Sequence, residues 1–259
     1  KNAAKDKGYI YVIRSGIKIV RGHVYNLIHK GSFQYYYYKI FKSRLYFEFN
    51  EKRYNYFYHI YNTTWKNERT IEIPIMMEIM GSSDSKRILE VGNVISHYFP
   101  VNHDIVDKYE KNKGVINCDI SEIPSSEKYD LIVSISTLEH VGWDEHVFDN
   151  NVQGDISSLD DTKIPKAIRK LESLLNNRGK IIVTLPIGYN GILDKLLKDK
   201  KLPFSEVYYL KRISKDNQWR QVSWEDIDNL NYDFIPYYRA NGLVIGIIEK
   251  FSDLENGDN

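Results

Sequence analysis

Arg87-Ile-Leu-Glu-Val-Gly92 is the stretch that decides the fold. It is short and apolar, as a buried strand must be, and it breaks at Glu90-Val-Gly92-Asn93, where a glycine lets backbone come close to a ligand. Three more runs of the same kind follow: Ile105-Val106-Asp107, Val115-Ile-Asn-Cys-Asp119, and Tyr129-Asp-Leu-Ile-Val-Ser-Ile-Ser136. Each ends on a polar residue. In an open α/β sheet, ligands sit at the carboxyl ends of the strands, near the point where strand order reverses. Polar residues at consecutive strand ends therefore point to one shared ligand.

The rest of the chain is consistent with a cofactor-sized α/β domain carrying an extension. Its 259 residues can bury a substantial core. A formal charge of +1 gives no bulk drive toward polyanions. The single cysteine, Cys118, excludes an intramolecular disulfide and a cysteine-rich zinc site. No apolar run is long enough to span a bilayer and the start is Lys/Asn-rich, so a cytoplasmic protein without membrane association is expected.

Residues 1–62 read as a Tyr-rich, β-rich appendage, with strands at 8–13, 18–21 and 45–49 and an alternating stretch at 54–61. Tyr35-Tyr-Tyr-Tyr38 is its densest part, suited to a homo-oligomer interface or to stacking on sugars. Residues 63–85 read as a helical lid and linker, in which Pro74 kinks or restarts the helix and Glu68 and Glu72 lie one turn apart. From 86 to 250 strands and helices alternate. A helix is expected near 93–98 and another at 163–176, the latter stopped by Gly179. Strands at 180–185, 206–212 and 242–248 close the domain, the last two as an antiparallel pair; 251–259 is a polar tail.

This ordered set resembles the class I S-adenosylmethionine-dependent methyltransferases over nearly two-thirds of the chain. The resemblance implies a Rossmann-like, doubly wound, mostly parallel seven-stranded sheet and S-adenosylmethionine as cofactor. Glu90-Val-Gly92 matches the family's acid-x-Gly opening, although Asn93-Val-Ile-Ser96 stands where further glycines are usual. Asp107, with Lys108 after it, falls where an acid meets the ribose hydroxyls. Asp119 and Ile120 fall where adenine is read. Ser134-Ile-Ser136-Thr-Leu-Glu139-His140-Val141 resembles the segment after strand four. The cofactor set so implied is Glu90, Gly92, Asn93, Asp107, Lys108, Asp119, Ile120 and Ser136.

Methyl transfer is an in-line displacement, accelerated chiefly by positioning, and a hydroxyl acceptor also gains from a base. His140 is the candidate base and Glu139 its orienting partner. The expected acceptor is a hydroxyl of a small molecule or glycan. Some relatives acting on small RNA hold magnesium with Glu-x-x-Glu-His, but Ser136 replaces the first Glu here, and no metal is expected. DNA is not expected either: Asn117 rather than Pro precedes Cys118, and no Asp-Pro-Pro-Tyr-like motif is present. Tyr189-Asn190 and the segments 142–161 and 212–224 are acceptor-side candidates. Two other readings are open. One is a non-catalytic assembly module. The other is an RNA methyltransferase tracking phosphates with Lys195, Lys198, Lys200, Lys201, Lys211 and Arg212.

Overall fold

The run Leu131-Ile-Val-Ser-Ile135 sends alternate residues to opposite sides of one sheet, and both sides are covered. Leu131, Val133 and Ile135 meet one apolar cluster, and Ile132 meets the other. The computed structural model describes residues 32–82, 87–143 and 160–250. The expected strands at 8–13 and 18–21, the polar tail and most of the acceptor-side segment 142–161 lie outside them.

In chain order the elements are α1 (Ser32–Phe41), β1 (Tyr46–Phe49), β2 (Lys52–Asn55), α2 (Arg69–Ser82), β3 (Ile88–Val91), β4 (Asp104–Val106), β5 (Val115–Ile116), β6 (Tyr129–Ile135), α3 (Lys163–Ser173), β7 (Leu175–Pro186), α4 (Gly191–Lys198), β8 (Glu206–Arg212), β9 (Trp219–Val222) and β10 (Gly242–Glu249). The main sheet has eight strands in the order β5-β4-β3-β6-β7-β10-β8-β9, one more than expected. The addition is β9, which pairs antiparallel with β8 at the far edge. Strands β3 to β7 run parallel, while β10 is antiparallel to both β7 and β8. The chain moves outward from β3 through β4 to β5, then returns to β6 on the other side of β3. That reversal opens a crevice at the carboxyl ends of β3 and β6.

Helices α3 and α4 cover one face through Ile164, Ile168, Leu171, Leu193 and Leu196. The other face is covered by α2, through Ile71, Ile73, Ile75 and Met76, and by Phe47, Phe49 and Tyr54 of the β1–β2 hairpin. So α2 is a core helix and not a lid. It also runs unbroken through Pro74. Proline removes the N–H that the Thr70 carbonyl would otherwise accept. Phe57 N–H supplies the missing donor at 2.9 Å, and Thr70 Oγ1 donates to Phe57 O at 3.1 Å. The cost of a buried proline is thereby offset by a strand-like tie to the segment after β2.

The described part of the N-terminal region is only half β. The hairpin turn Asn50-Glu51 has φ of 47° and 63°, a pair of left-handed residues that matches the twist of its strands. Tyr35–Tyr38, however, belong to α1, and Tyr35 and Tyr38 lie one turn apart against Trp65, with ring centroids at 6.0 and 6.1 Å. Residues 56–60 are irregular and 61–66 form kinked turns with left-handed Asn62 and Thr63, so the alternating stretch continues as strand only to Asn55. The helix expected at 93–98 is a single 3-10 turn at Ile95–His97. After α3, the left-handed position is Arg178 (φ 62°) and not Gly179. Gly179 is needed for close approach, because a Cβ there would lie 3.0 Å from the Tyr129 carbonyl oxygen. Among the described residues, no helix is long and apolar enough to cross a membrane.

Candidate active site

At the switch point, the ends of β3, β4 and β6, the turn after β5 and the first turns of α3 enclose a cavity of about 820 Å³. Gly92, Asn93, Asp107, Lys108, Asp119, Ile120, Ser136 and His140 all line it. Of the expected residues, Glu90 and Glu139 do not line it.

Glu90 is fully buried under the loop it precedes. Its Oε1 accepts from Val94 N–H (2.8 Å) and Ile95 N–H (2.7 Å), and its Oε2 meets His103 Nε2 at 2.8 Å. The loop that lacks extra glycines is therefore held by a carboxylate and a histidine. Gly92 cannot be replaced without strain. Its φ is +85°, and a Cβ would fall 2.1 Å from Thr137 Oγ1 and 2.7 Å from Thr137 Cγ2. Gly92→Ala is expected to destabilise the fold by about 3 kcal/mol, combining left-handed strain with overpacking. The midpoint of urea unfolding measures this, and an unchanged midpoint would mean that Thr137 simply swings aside.

Asp107 is more heavily used than its sequence position suggests. Oδ1 accepts from Tyr109 N–H and Glu110 N–H, both at 2.8 Å, and Oδ2 accepts from Asn93 N–H at 3.1 Å. A carboxylate offers about four acceptor positions, so Asp107 keeps one for a ligand and not two. Asp119 caps the turn at Ile120–Glu122. Its Oδ1 accepts from Ser121 N–H and Oγ, and its Oδ2 lies 3.3 Å from Lys108 Nζ. The Ser121 bonds, led by the backbone N–H, hold its carboxyl below the usual range. Asn93 Nδ2 is buried with no hydrogen-bond partner, on the cavity wall. Cys118 also lines the cavity, and burial pushes its thiol up, which suits a packed side chain and not a nucleophile.

Beyond the end of β6 the backbone turns sharply. Ser136 has a φ of 39°, an unusual value for a residue with a Cβ, and its N–H donates to Thr184 O (3.1 Å) and Oγ1 (2.9 Å) on β7. Its Oγ donates to Glu72 Oε1 at 2.5 Å, and Thr184 Oγ1 donates to the same oxygen at 2.5 Å. Glu72, with no exposed surface, also pairs with Arg69. A carboxylate from α2 thus ties β6 to β7 at the cavity edge, a contact that sequence inspection missed.

His140 Nδ1 lies 3.0 Å from the Tyr189 hydroxyl, and its Nε2 lies 3.6 Å from Glu139 Oε1. Glu139 itself is 2% exposed, and burial raises its pKa to about 8. The Asn190 side chain fixes this turn: Nδ2 donates to Glu139 O at 2.7 Å, while Oδ1 caps α4 by accepting from Ile192 and Leu193 N–H. Of the acceptor-side expectations, Tyr189 and Asn190 bond to the His140 turn but do not line the cavity. The stretch 212–224 is mostly the β8–β9 hairpin with its following turn, and Trp219 is buried in it. Of the expected phosphate track, Lys198, Lys201 and Arg212 are paired with Asp228, Asp199 and Asp233.

With that geometry in hand, the sheet and its crevice have the Rossmann-like form shared by class I methyltransferases. No protein-family model and no curated protein matches the sequence. Solved structures similar to it include methyltransferases. The N-methyltransferase NodS of Bradyrhizobium japonicum WM9, in complex with S-adenosyl-L-homocysteine, is 12% identical over 71% of this chain and 88% of its own, with a TM-score of 0.42. A S-adenosylmethionine-dependent methyltransferase of Clostridium acetobutylicum ATCC 824 is 12% identical over 86% and 99%, with a TM-score of 0.34. The plantazolicin methyltransferase BpumL, in complex with a desmethyl analogue and S-adenosylhomocysteine, is 15% identical over 68% and 80%, with a TM-score of 0.35.

Proposed function

We propose that the chain is an S-adenosylmethionine-dependent methyltransferase that methylates a hydroxyl of a small molecule or glycan. The observation that carries this reading is the single cavity at the sheet's switch point, which gathers Gly92, Asn93, Asp107, Asp119, Ser136 and His140. The donor set fits the cofactor. The unpartnered Nδ2 of Asn93 suits the carboxylate of its amino-acid end. The remaining acceptor position of Asp107 takes one ribose hydroxyl, Asp119 accepts from the adenine amino group, and Ile120 offers an apolar wall. Bound there, S-adenosylmethionine supplies an electrophilic methyl group on a cationic sulfonium. The chain's own task is to hold the acceptor oxygen in line and remove its proton. With Nδ1–H donated to the Tyr189 oxygen, Nε2 of His140 is the basic atom, and His140 receives the hydroxyl proton there.

Asp107→Ala should weaken S-adenosylhomocysteine binding roughly ten- to a hundredfold, since three loop N–H groups lose their acceptor along with the ligand. Calorimetric titration of parent and variant checks this. Equal affinities would remove Asp107 from the site. Absence of binding by the parent would overturn the enzyme reading and favour the assembly module.

A further inference from the structure

Beneath the His140 turn lies a polar cluster that methyl transfer to a hydroxyl does not require. It is formed by Glu68, Arg69 and Glu72 of the α2 region and by Glu139, all buried or nearly so. Three carboxyl groups thus surround one guanidinium. Arg69 is committed to Glu72, and Glu72 also receives Ser136 and Thr184. Glu68 Oε2 accepts from Ala240 N–H at 2.8 Å. The next cation, Arg212, pairs with Asp233 at 3.0 Å and lies near Glu68, with its buried Nε unbonded among the described residues. Glu139 Oε2 is left buried with no hydrogen-bond partner among the described residues. An orphaned carboxyl oxygen beside two further acids is costly unless something answers it.

The surroundings indicate what that is. Tyr232 is half-buried near both Glu68 and Glu139, and both acids, after burial itself, raise its hydroxyl pKa. Its ring packs edge-on against Tyr189 at 5.2 Å, and Tyr189 packs against His140 at 4.8 Å. Phe234 closes on both tyrosines at 5.9 and 5.0 Å. Carboxylate below and aromatic rings around is the environment that selects an organic cation. A divalent metal does not fit, since no group of three or more ligating side chains among the described residues could hold one. The cavity reaches the cluster at Ser136 and His140, which bond or abut Glu72 and Glu139 respectively.

We propose that this cluster is the seat of a protonated amine carried by the acceptor, held between the Glu139 carboxylate and the rings of Tyr189 and Tyr232. The acceptor is then a hydroxylated amine, with its alcohol at His140 Nε2 and its nitrogen a few ångströms away at Glu139. This deepens the hydroxyl reading above and rests on it. Occupation by a cation displaces the proton that burial keeps on Glu139. The groups facing that proton are Arg69 and Glu72 from α2, His140 on its own turn, and Tyr232 from the segment before β10.

The test is titration of the full chain, preloaded with S-adenosylhomocysteine, with ethanolamine, glucosamine and tyramine, against ethylene glycol, glucose and 4-ethylphenol. At least one amine should bind tenfold or more tighter than its uncharged counterpart. Binding at pH 7 should release close to one proton, read from the dependence of heat on buffer ionisation, and affinity should rise as pH passes through about 8. Glu139→Gln should abolish the preference and the proton release while keeping S-adenosylhomocysteine affinity, which also reports that the variant is folded. Three amines that bind no better than their counterparts, or a preference that survives in Glu139→Gln, would overturn the proposal. Failure of S-adenosylhomocysteine itself to bind is a different result, and it overturns the cofactor reading instead.

Discussion

His140→Ala is expected to lower kcat by ~10²–10⁴ on whichever alcohol an acceptor screen returns, with little change in cofactor affinity. The reason is geometric. The imidazole lines the cavity in the turn after β6, and its ring is oriented by the Tyr189 hydroxyl, 3.0 Å from Nδ1. An alcohol is a poor nucleophile until its proton has somewhere to go, so removing the acceptor of that proton acts on the chemical step and not on binding. Tyr189→Phe deletes only the oxygen at Nδ1 and should cost about 1 kcal/mol, roughly fivefold in kcat. Initial rates with labelled methyl donor separate the two. A loss below tenfold in His140→Ala would assign proton removal to water or to another group and would reduce His140 to a wall of the pocket.

Stability should fall steeply as pH rises. Glu139 has an ordinary value of 4.5 and a folded value of about 8, while Glu68 is raised to about 7, mainly by burial and then by Glu72. A carboxyl whose folded pKa is raised binds more protons folded than unfolded between those two values. Its contribution is therefore complete below pH 4.5 and is lost progressively up to about 8. For Glu139 alone, at 1.36 kcal/mol per pH unit, the loss is ~4 kcal/mol between pH 5 and 9. At this chain length that lowers Tm by about 10 °C. Glu139→Gln, which keeps the shape and removes the charge, should flatten the profile and leave the shallower slope due to Glu68. A Tm that is level or rising across the same range would show Glu139 to be ionised and paired.

The parallel strands were legible because burial on both faces leaves no choice of residue. Ile132, Val133, Ile181, Ile182 and Val183 form apolar runs of strand length that end in polar residues, and the antiparallel closure of Glu206–Arg212 on Gly242–Glu249 reads the same way. Polar strand ends fixed where the cavity would be. Legibility failed where a residue's role is set by a distant partner. Tyr35–Tyr38 have strand-like composition, but the surface they pack on is Trp65. Glu72 reads as a charged helix residue until Ser136 and Thr184, 64 and 112 positions away, are brought against it. Asp107 lines the cavity, yet its three backbone donors come from loops whose course the sequence does not display. A signal for Glu72 did exist: an acid that repeats with Glu68 on the same helix face as Ile71 and Ile75 is out of place unless it has a partner.

The Glu72 bridge changes what counts as a unit of this protein. A boundary at residue 86 is suggested by the onset of alternating strands and helices, and it would set the first 85 residues aside as an accessory. Yet Leu131, Val133, Ile135, Ile182 and Ile245 are covered by α2 and the β1–β2 hairpin. One α2 side chain also receives the hydroxyls that finish β6 and β7. Severing the chain there would strip one side of the sheet bare and leave two cavity-edge residues reaching for nothing. Evolution can exchange a true accessory freely between homologues. A replacement for this one has to offer Ser136 and Thr184 the same buried acceptor, so the front of the chain and the site it supports form one unit.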